Sequence, residues 1–145
     1  MGRFRRVSRL AYLVDTSVFA RLQKPGVAAA FAPRATSGQI GVCAPVAFEL
    51  GFSARNRDDY LAMTERLAAF PAVAVSSADQ QRSLEVQAAL VARGQHRALS
   101  LTDALVAATA EAKGLTVLHY DADFELVAGV TGQPQEWIVP RGTAD

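Results

Sequence analysis

Asp15 in Tyr12-Leu-Val-Asp-Thr-Ser17, Glu49 in Pro45-Val-Ala-Phe-Glu-Leu50, Asp103 in Leu101-Thr-Asp-Ala-Leu105 and Asp121 in His119-Tyr-Asp-Ala-Asp-Phe124 are acids set among apolar or small residues. Carboxylates are seldom fully buried unless they are paired or bound to a metal. Two of them ~4 Å apart repel by about 4 kcal/mol at an effective dielectric near 20. A converging set must therefore hold protons or bind a cation. An all-oxygen donor set selects hard cations, Mg²⁺ or Mn²⁺, over zinc. Such a cation, held by a few carboxylates and several waters, activates water and neutralises charge on a phosphate, the chemistry of phosphodiester hydrolysis.

Each acid also has a structural explanation. Asp15 closes a predicted strand, where ligands of open parallel sheets sit, yet Asp is also a preferred helix N-cap; Thr16 or Ser17 could cap instead. Glu49 lies one turn into a helix that is apolar around most of its circumference, which predicts burial, with no basic residue at i±3 or i±4. Its structural alternative is interaction with the helix N-terminal dipole. Ser100-Leu-Thr-Asp103 has the form of a capping box, although that motif ordinarily carries Glu or Gln at its last position. Asp is short for the reciprocal bond, which favours a ligand role. Of Asp121 and Asp123, one is expected to cap a short helix around Phe124 while the other faces the cluster, and Asp121 lies nearer the strand end.

The elements that must position these acids follow from apolar runs and caps. Short strands are expected at Leu10–Val14, Ile40–Cys43, Ala72–Val75, Leu115–His119 and Glu136–Val139. Helices are expected at Thr16–Gln23, Pro25–Thr36, Val46–Arg55, Arg57–Phe70, from Ser76 or Ser77 to Arg93, from Ser100 through Lys113, and at Asp123–Val127. Gly94 and Gly114 close two of them. Short apolar strands alternating with helices predict an α/β fold, a three-layer α/β/α arrangement around a parallel sheet of about five short strands. Residues 11–145 form one expected domain, and residues 1–10 a basic extension outside it that is a candidate for disorder.

At 145 residues, half of them apolar, the chain can bury a substantial core and is not a disordered sequence. A net charge of +1 carries no global signal for nucleic acid, although Arg3, Arg5, Arg6 and Arg9 crowd the start and could touch phosphates. Cys43 is the only cysteine, which excludes an internal disulfide and fits a reducing cytoplasm. The apolar stretch before Asp15 is too short for a signal sequence or a membrane span. Glycine-rich phosphate loops and the Gly-x-Ser-x-Gly elbow do not occur. His96 and His119 lack zinc spacing.

Taken together, Leu13-Val-Asp-Thr-Ser17, Glu49, Leu101-Thr-Asp-Ala-Leu-Val-Ala-Ala-Thr-Ala110 and His119-Tyr-Asp-Ala-Asp-Phe124 resemble the motifs of PIN-domain ribonucleases, in particular the VapC toxin branch of bacterial toxin–antitoxin modules. The likeness runs from about Tyr12 to Pro140. It implies a Mg²⁺- or Mn²⁺-dependent endoribonuclease that cleaves structured RNA, a transfer RNA or a ribosomal RNA loop, with metal-activated water. Asp15 and Asp103 would be the core metal ligands, and Glu49 and Asp121 would complete the pocket, with Asp123 adjacent. Thr16 or Ser17 would steady Asp15. Arg21, Lys24, Arg55, Arg57, Arg93 and Arg97 are candidate phosphate grips. The resemblance also implies a homodimer, a small VapB-like antitoxin as partner, a cytoplasmic location and no membrane association.

The chain departs from the family at two places: His119 stands where Thr is frequent, and about ten arginine-rich residues precede the first strand. A non-catalytic PIN-like module that binds antitoxin or RNA is the alternative function. A phosphatase of the haloacid dehalogenase type would need a second Asp two residues after Asp15, where this chain has Ser17.

Overall fold

The computed structural model describes residues 9–145. The arginines at positions 3, 5 and 6 of the expected basic arm lie outside the described residues. Five strands, β1 (Tyr12–Val14), β2 (Ile40–Cys43), β3 (Ala72–Val73), β4 (Thr116–His119) and β5 (Gln135–Trp137), form one sheet in the order β3-β2-β1-β4-β5, every pair parallel. Between them run α1 (Thr16–Phe19), α2 (Pro25–Thr36), α3 (Ala44–Phe52), α4 (Arg57–Leu67), α5 (Ser77–Val91), α6 (Leu101–Lys113) and α7 (Asp123–Thr131). Helices flank the sheet, which is the expected α/β/α architecture.

The central strands are short buried runs: β1 stops at Asp15, β4 closes on His119, and β2 gives way to a helix opened by Ala44-Pro45. Leu13 and Val14 of β1, Val117 and Leu118 of β4, and Ile40 of β2 have almost no exposure. Gly41 in the middle of β2 has a steric reason: an added Cβ would lie 2.5 Å from Cγ2 of Val73 on β3. The alanine-rich α6 packs against α3, α5, α7, β1 and β4, burying Ala104, Val106, Ala107, Ala108 and Ala110. Small side chains let it approach its neighbours closely, and Gly114, at φ 66°, ends it in the left-handed conformation that glycine adopts most readily. Phe19, Phe31 and Phe70 meet edge to face with ring centroids 5.8–6.0 Å apart, tying α1 to α2 and to the end of α4.

Element boundaries differ from the sequence expectations in instructive ways. α1 ends at Phe19 rather than Gln23 because the chain tightens into i→i−3 bonds, with Arg21 N–H on Val18 O and Lys24 N–H on Arg21 O. β3 is two residues long, β5 begins at Gln135, and a 3₁₀ turn forms at His96–Ala98, between the two helices expected there. The larger correction concerns α3. Its apolar composition predicts burial, yet among its residues only Val46 is fully buried, while Phe48 and Phe52 are 79% and 84% exposed. The helix is apolar on two faces, and only one meets the core. Among the described residues no helix is long and apolar enough to cross a membrane.

Candidate metal centre

β1 and β4 run side by side with Val14 opposite Leu118, so the chain leaves both strands at the same carboxyl edge of the sheet. Asp15 is the first residue beyond β1, and its N–H continues the ladder to Leu118 O at 2.9 Å. Asp121 lies two residues beyond β4. Asp103 enters from the first turn of α6. One carboxylate oxygen from each of the three lies within 4.8 Å of the others. Asp15 and Asp103 are buried and Asp121 is half-buried. No ion pair among the described residues reaches any of them.

The local hydrogen bonds hold each acid in place and leave acceptor capacity free. Asp15 Oδ2 accepts the Ser17 N–H at 3.1 Å, so Asp15 caps α1, and Oδ1 is buried without a partner. Capping α1 through Oδ2 thus leaves Oδ1 free to accept another partner. The Ser17 hydroxyl accepts the Tyr120 N–H at 2.9 Å and clamps α1 to the exit of β4, whereas the Thr16 hydroxyl has no partner.

Asp103 donates its N–H to Ser100 Oγ at 3.1 Å, and its carboxylate does not return a bond to the Ser100 backbone. The reason is not the length of Asp. At the start of α5, Asp79 makes both halves of a capping box with Ser76, at 3.1 and 2.9 Å. The carboxylate of Asp103 instead meets Asp15 and Asp121.

Electrostatics reports the same convergence. Burial, then the charges of Asp15 and Asp121, and more weakly Asp123, push the Asp103 carboxyl up to about 7. Asp15 is raised chiefly by burial, with hydrogen bonds from Ser17 opposing and the charge of Asp121 adding. Burial and the neighbouring Asp121 raise Asp123 as well. Acids so raised hold a proton or exchange it for a cation. The residues fit a divalent cation on chemistry: three carboxylates that can each offer a hard oxygen, a buried Asp15 oxygen left without a hydrogen-bond partner, and no ion pair from a basic side chain among the described residues.

Two of the expected pocket members stand apart. Glu49 is half-buried on α3 and outside the three-acid group. Asp123 is also outside it; its N–H donates to Asp121 Oδ1 at 2.9 Å. Asp121 therefore both faces the cluster and steadies the start of α7, roles that the sequence divides between two residues. His119 is fully buried; its Nδ1 accepts the Asp121 N–H at 3.0 Å and its Nε2 meets Gln135 Oε1 at 2.5 Å. Burial holds this imidazole below its usual range. Neither contact is signalled in the sequence, because Gln135 lies on a strand that the apolar pattern begins one residue later.

The six candidate phosphate grips are scattered. Arg21 donates to Ala144 O and Ser17 O and lies over the Tyr120 ring, and Lys24 donates to Asp145 O. The Tyr120 hydroxyl gathers the same segment, accepting N–H groups from Gly142 and Ala144 and donating to Asp145. Arg55 pairs with Asp59, Arg93 donates to Gly129 O, and Arg57 and Arg97 are exposed.

Comparison with known proteins agrees with this geometry. Residues 12–130 match the family model described as PIN domain. Ribonuclease VapC51 of Mycobacterium tuberculosis (strain ATCC 25618 / H37Rv) is 45% identical over 136 residues, spanning 94% of this chain and 98% of that protein. Ribonuclease VapC18 of the same strain is 38% identical over 136 residues, spanning 92% and 99%. Among solved structures, DNA-bound VapBC from Salmonella typhimurium superposes with a TM-score of 0.73 at 19% identity, covering 90% of this chain and 99% of that one. Mycobacterium tuberculosis VapC20, a sarcin-ricin loop cleaving toxin, superposes with a TM-score of 0.65 at 19% identity, covering 86% of this chain and 100% of that one. By its family model, its relatives and the acids that β1, β4 and α6 bring together, this chain belongs to the PIN-domain family, within the VapC ribonucleases.

Proposed function

We propose that this chain is the toxin of a toxin–antitoxin module and cleaves structured RNA at the three-acid pocket, using Mg²⁺ or Mn²⁺. The observation that carries the reading is the convergence of Asp15, Asp103 and Asp121 without a counter-charge, one of them pushed up to about 7. A divalent cation bound there supplies activation of water and neutralisation of charge on the phosphate. The chain's own residues do the rest. Asp15 and Asp103, fixed by a strand end and a helix start, hold the cation, and Asp121 closes the set from the third side. Ser17 and Ser100 orient the first two through backbone bonds. Glu49 and Asp123 belong to the outer pocket, where they would act through water. Thr16, with its free hydroxyl, is available to a ligand at the same edge.

The RNA class proposed is a transfer RNA or a ribosomal RNA loop, with exposed Arg55, Arg57, Arg93 and Arg97 as phosphate contacts. Arg21 and Lys24 grip RNA only if they release the segment around Ala144 and Asp145. The partner proposed is a small VapB-like antitoxin, in a cytoplasmic homodimeric toxin. The uncovered apolar side chains of α3, Phe48 and Phe52, with Tyr60 and Leu61 on α4, support a chain that is incomplete without a protein partner. Titration calorimetry with Mn²⁺ tests the centre. Binding by the wild type and loss in Asp15→Asn is expected, and no binding by the wild type would favour a non-catalytic PIN-like module.

A further inference from the structure

β4 ends at His119, and the next two residues carry the chain from the sheet into the acid pocket. The imidazole is wholly buried, with its ring 5.0 Å from those of Phe124 and Trp137. A polar ring in so dry a place needs a partner for each nitrogen, and only one arrangement of protons supplies both. The Asp121 N–H is a donor, so Nδ1, 3.0 Å away, carries a lone pair. The proton lies on Nε2, which donates to Gln135 Oε1 at 2.5 Å. That requirement also fixes the Gln135 amide, whose oxygen faces the ring. An imidazolium, with a proton on each nitrogen, would confront the Asp121 N–H with a second donor.

Asp121 depends on this bond more than its two companions would. Asp15 closes a strand and Asp103 sits on a helix, so backbone ladders set where they stand. Asp121 comes from the turn between β4 and α7. It is held by the His119 ring through its own N–H, and by Asp123 N–H through one carboxylate oxygen. Gln135 is supplied by β5, which is paired in register with β4. The neighbouring strand thus reaches the metal pocket through a chain of two side chains.

We propose that His119, locked as the Nε2–H tautomer by Gln135, is a positioning residue that aims Asp121 at the cation, so that this pair sets metal affinity without touching metal or RNA. The proposal rests on the metal-centre reading above. Hydrogen-bond partners that orient ligands commonly change metal affinity by about 10–100-fold when removed.

Two measurements on the full chain test it. Nitrogen NMR of the wild-type imidazole reads the tautomer without any substitution, and the Nε2–H form is expected. Mn²⁺ calorimetry is then compared across His119→Asn, His119→Phe and Gln135→Met, with thermal stability measured in parallel. The Asn oxygen can accept the Asp121 N–H as Nδ1 does, so His119→Asn keeps affinity within about threefold although it loses ring packing. His119→Phe keeps an aromatic ring and loses the acceptor, and its affinity falls about tenfold or more. Gln135→Met loosens the tautomer and weakens binding, and it also lowers thermal stability because the buried Nε2–H loses its acceptor. A purely structural role predicts the opposite order, with affinity following thermal stability. An Nδ1–H ring with intact Mn²⁺ binding, or equal affinities for the Asn and Phe variants, overturns the proposal alone. Wild-type protein that binds no Mn²⁺ overturns the metal-centre reading and this proposal with it.

Discussion

Asp103→Asn should make the metal-free protein more stable while destroying the proposed activity. Burial and the nearby charges of Asp15 and Asp121 push this carboxyl from 3.8 up to about 7. The folded chain therefore keeps a proton that the unfolded chain releases, and stability without metal declines as pH rises from about 4 to 7. Above 7 the whole penalty is present. A displacement of about three on the pH scale, at about 1.4 kcal/mol for each, sets a ceiling near 4 kcal/mol, and because three interacting acids share the effect, about 2–4 kcal/mol is expected. Asparagine has nearly the same shape, carries no charge and retains the backbone bond to Ser100 Oγ. In EDTA at pH 8 the variant should gain that amount in urea unfolding, or on the order of 7–13 °C in midpoint. The advantage should vanish near pH 4, where wild-type Asp103 is neutral. Mn²⁺ should then raise wild-type stability at pH 8 and leave the variant unmoved. A variant less stable than wild type at pH 8 in EDTA, or a difference that ignores pH, refutes the electrostatic reasoning.

Further outcomes follow from the same geometry. Mn²⁺ affinity should fall by up to about tenfold for each pH step below 7, because the Asp103 proton must leave before the cation binds; calorimetry at pH 6 and 8 measures it. Ser17→Ala removes the hydroxyl that accepts the buried Tyr120 N–H and should cost about 1–2 kcal/mol in chemical denaturation, with weaker Mn²⁺ binding as the turn to Asp121 loosens. Phe48→Asp and Phe52→Asp alter side chains that are 79% and 84% exposed, so unfolding free energy should stay within about 0.5 kcal/mol of wild type. Co-purification with the cognate antitoxin should weaken if that face receives it.

Much of this molecule is legible before its structure, for physical reasons that vary by element. β2 can be read to the residue because Ile40–Cys43 is a continuous apolar run between a glycine turn and a proline helix start. α6 is readable at both ends, since Ser100 and Gly114 are chemical punctuation. Asp15, Asp103 and Asp121 stand out because acids at strand ends and in an alanine-rich helix need a reason, and the three do converge. Glu49 shows the limit of that logic. Apolar composition marks α3 as interfacial without saying whether the interface is the chain's own core, and its Phe48 and Phe52 face outward.

The length of Asp is no bar to a capping box, since Asp79 closes a full one with the same short side chain. What frees the Asp103 carboxylate is the company it meets across the pocket, and that depends on β1 and β4 lying side by side. His119 was silent for the same reason. Its two partners are a backbone N–H two residues on and a glutamine from the next strand, contacts made only by the closed sheet.

The central claim is that Asp15, Asp103 and Asp121 together cut RNA with a divalent cation. Sequencing of RNA ends after induction, wild type against Asp15→Asn, tests it most directly. Discrete new ends in the wild type, absent from Asp15→Asn cells that accumulate folded protein, are predicted. The same new ends from Asp15→Asn would contradict the account.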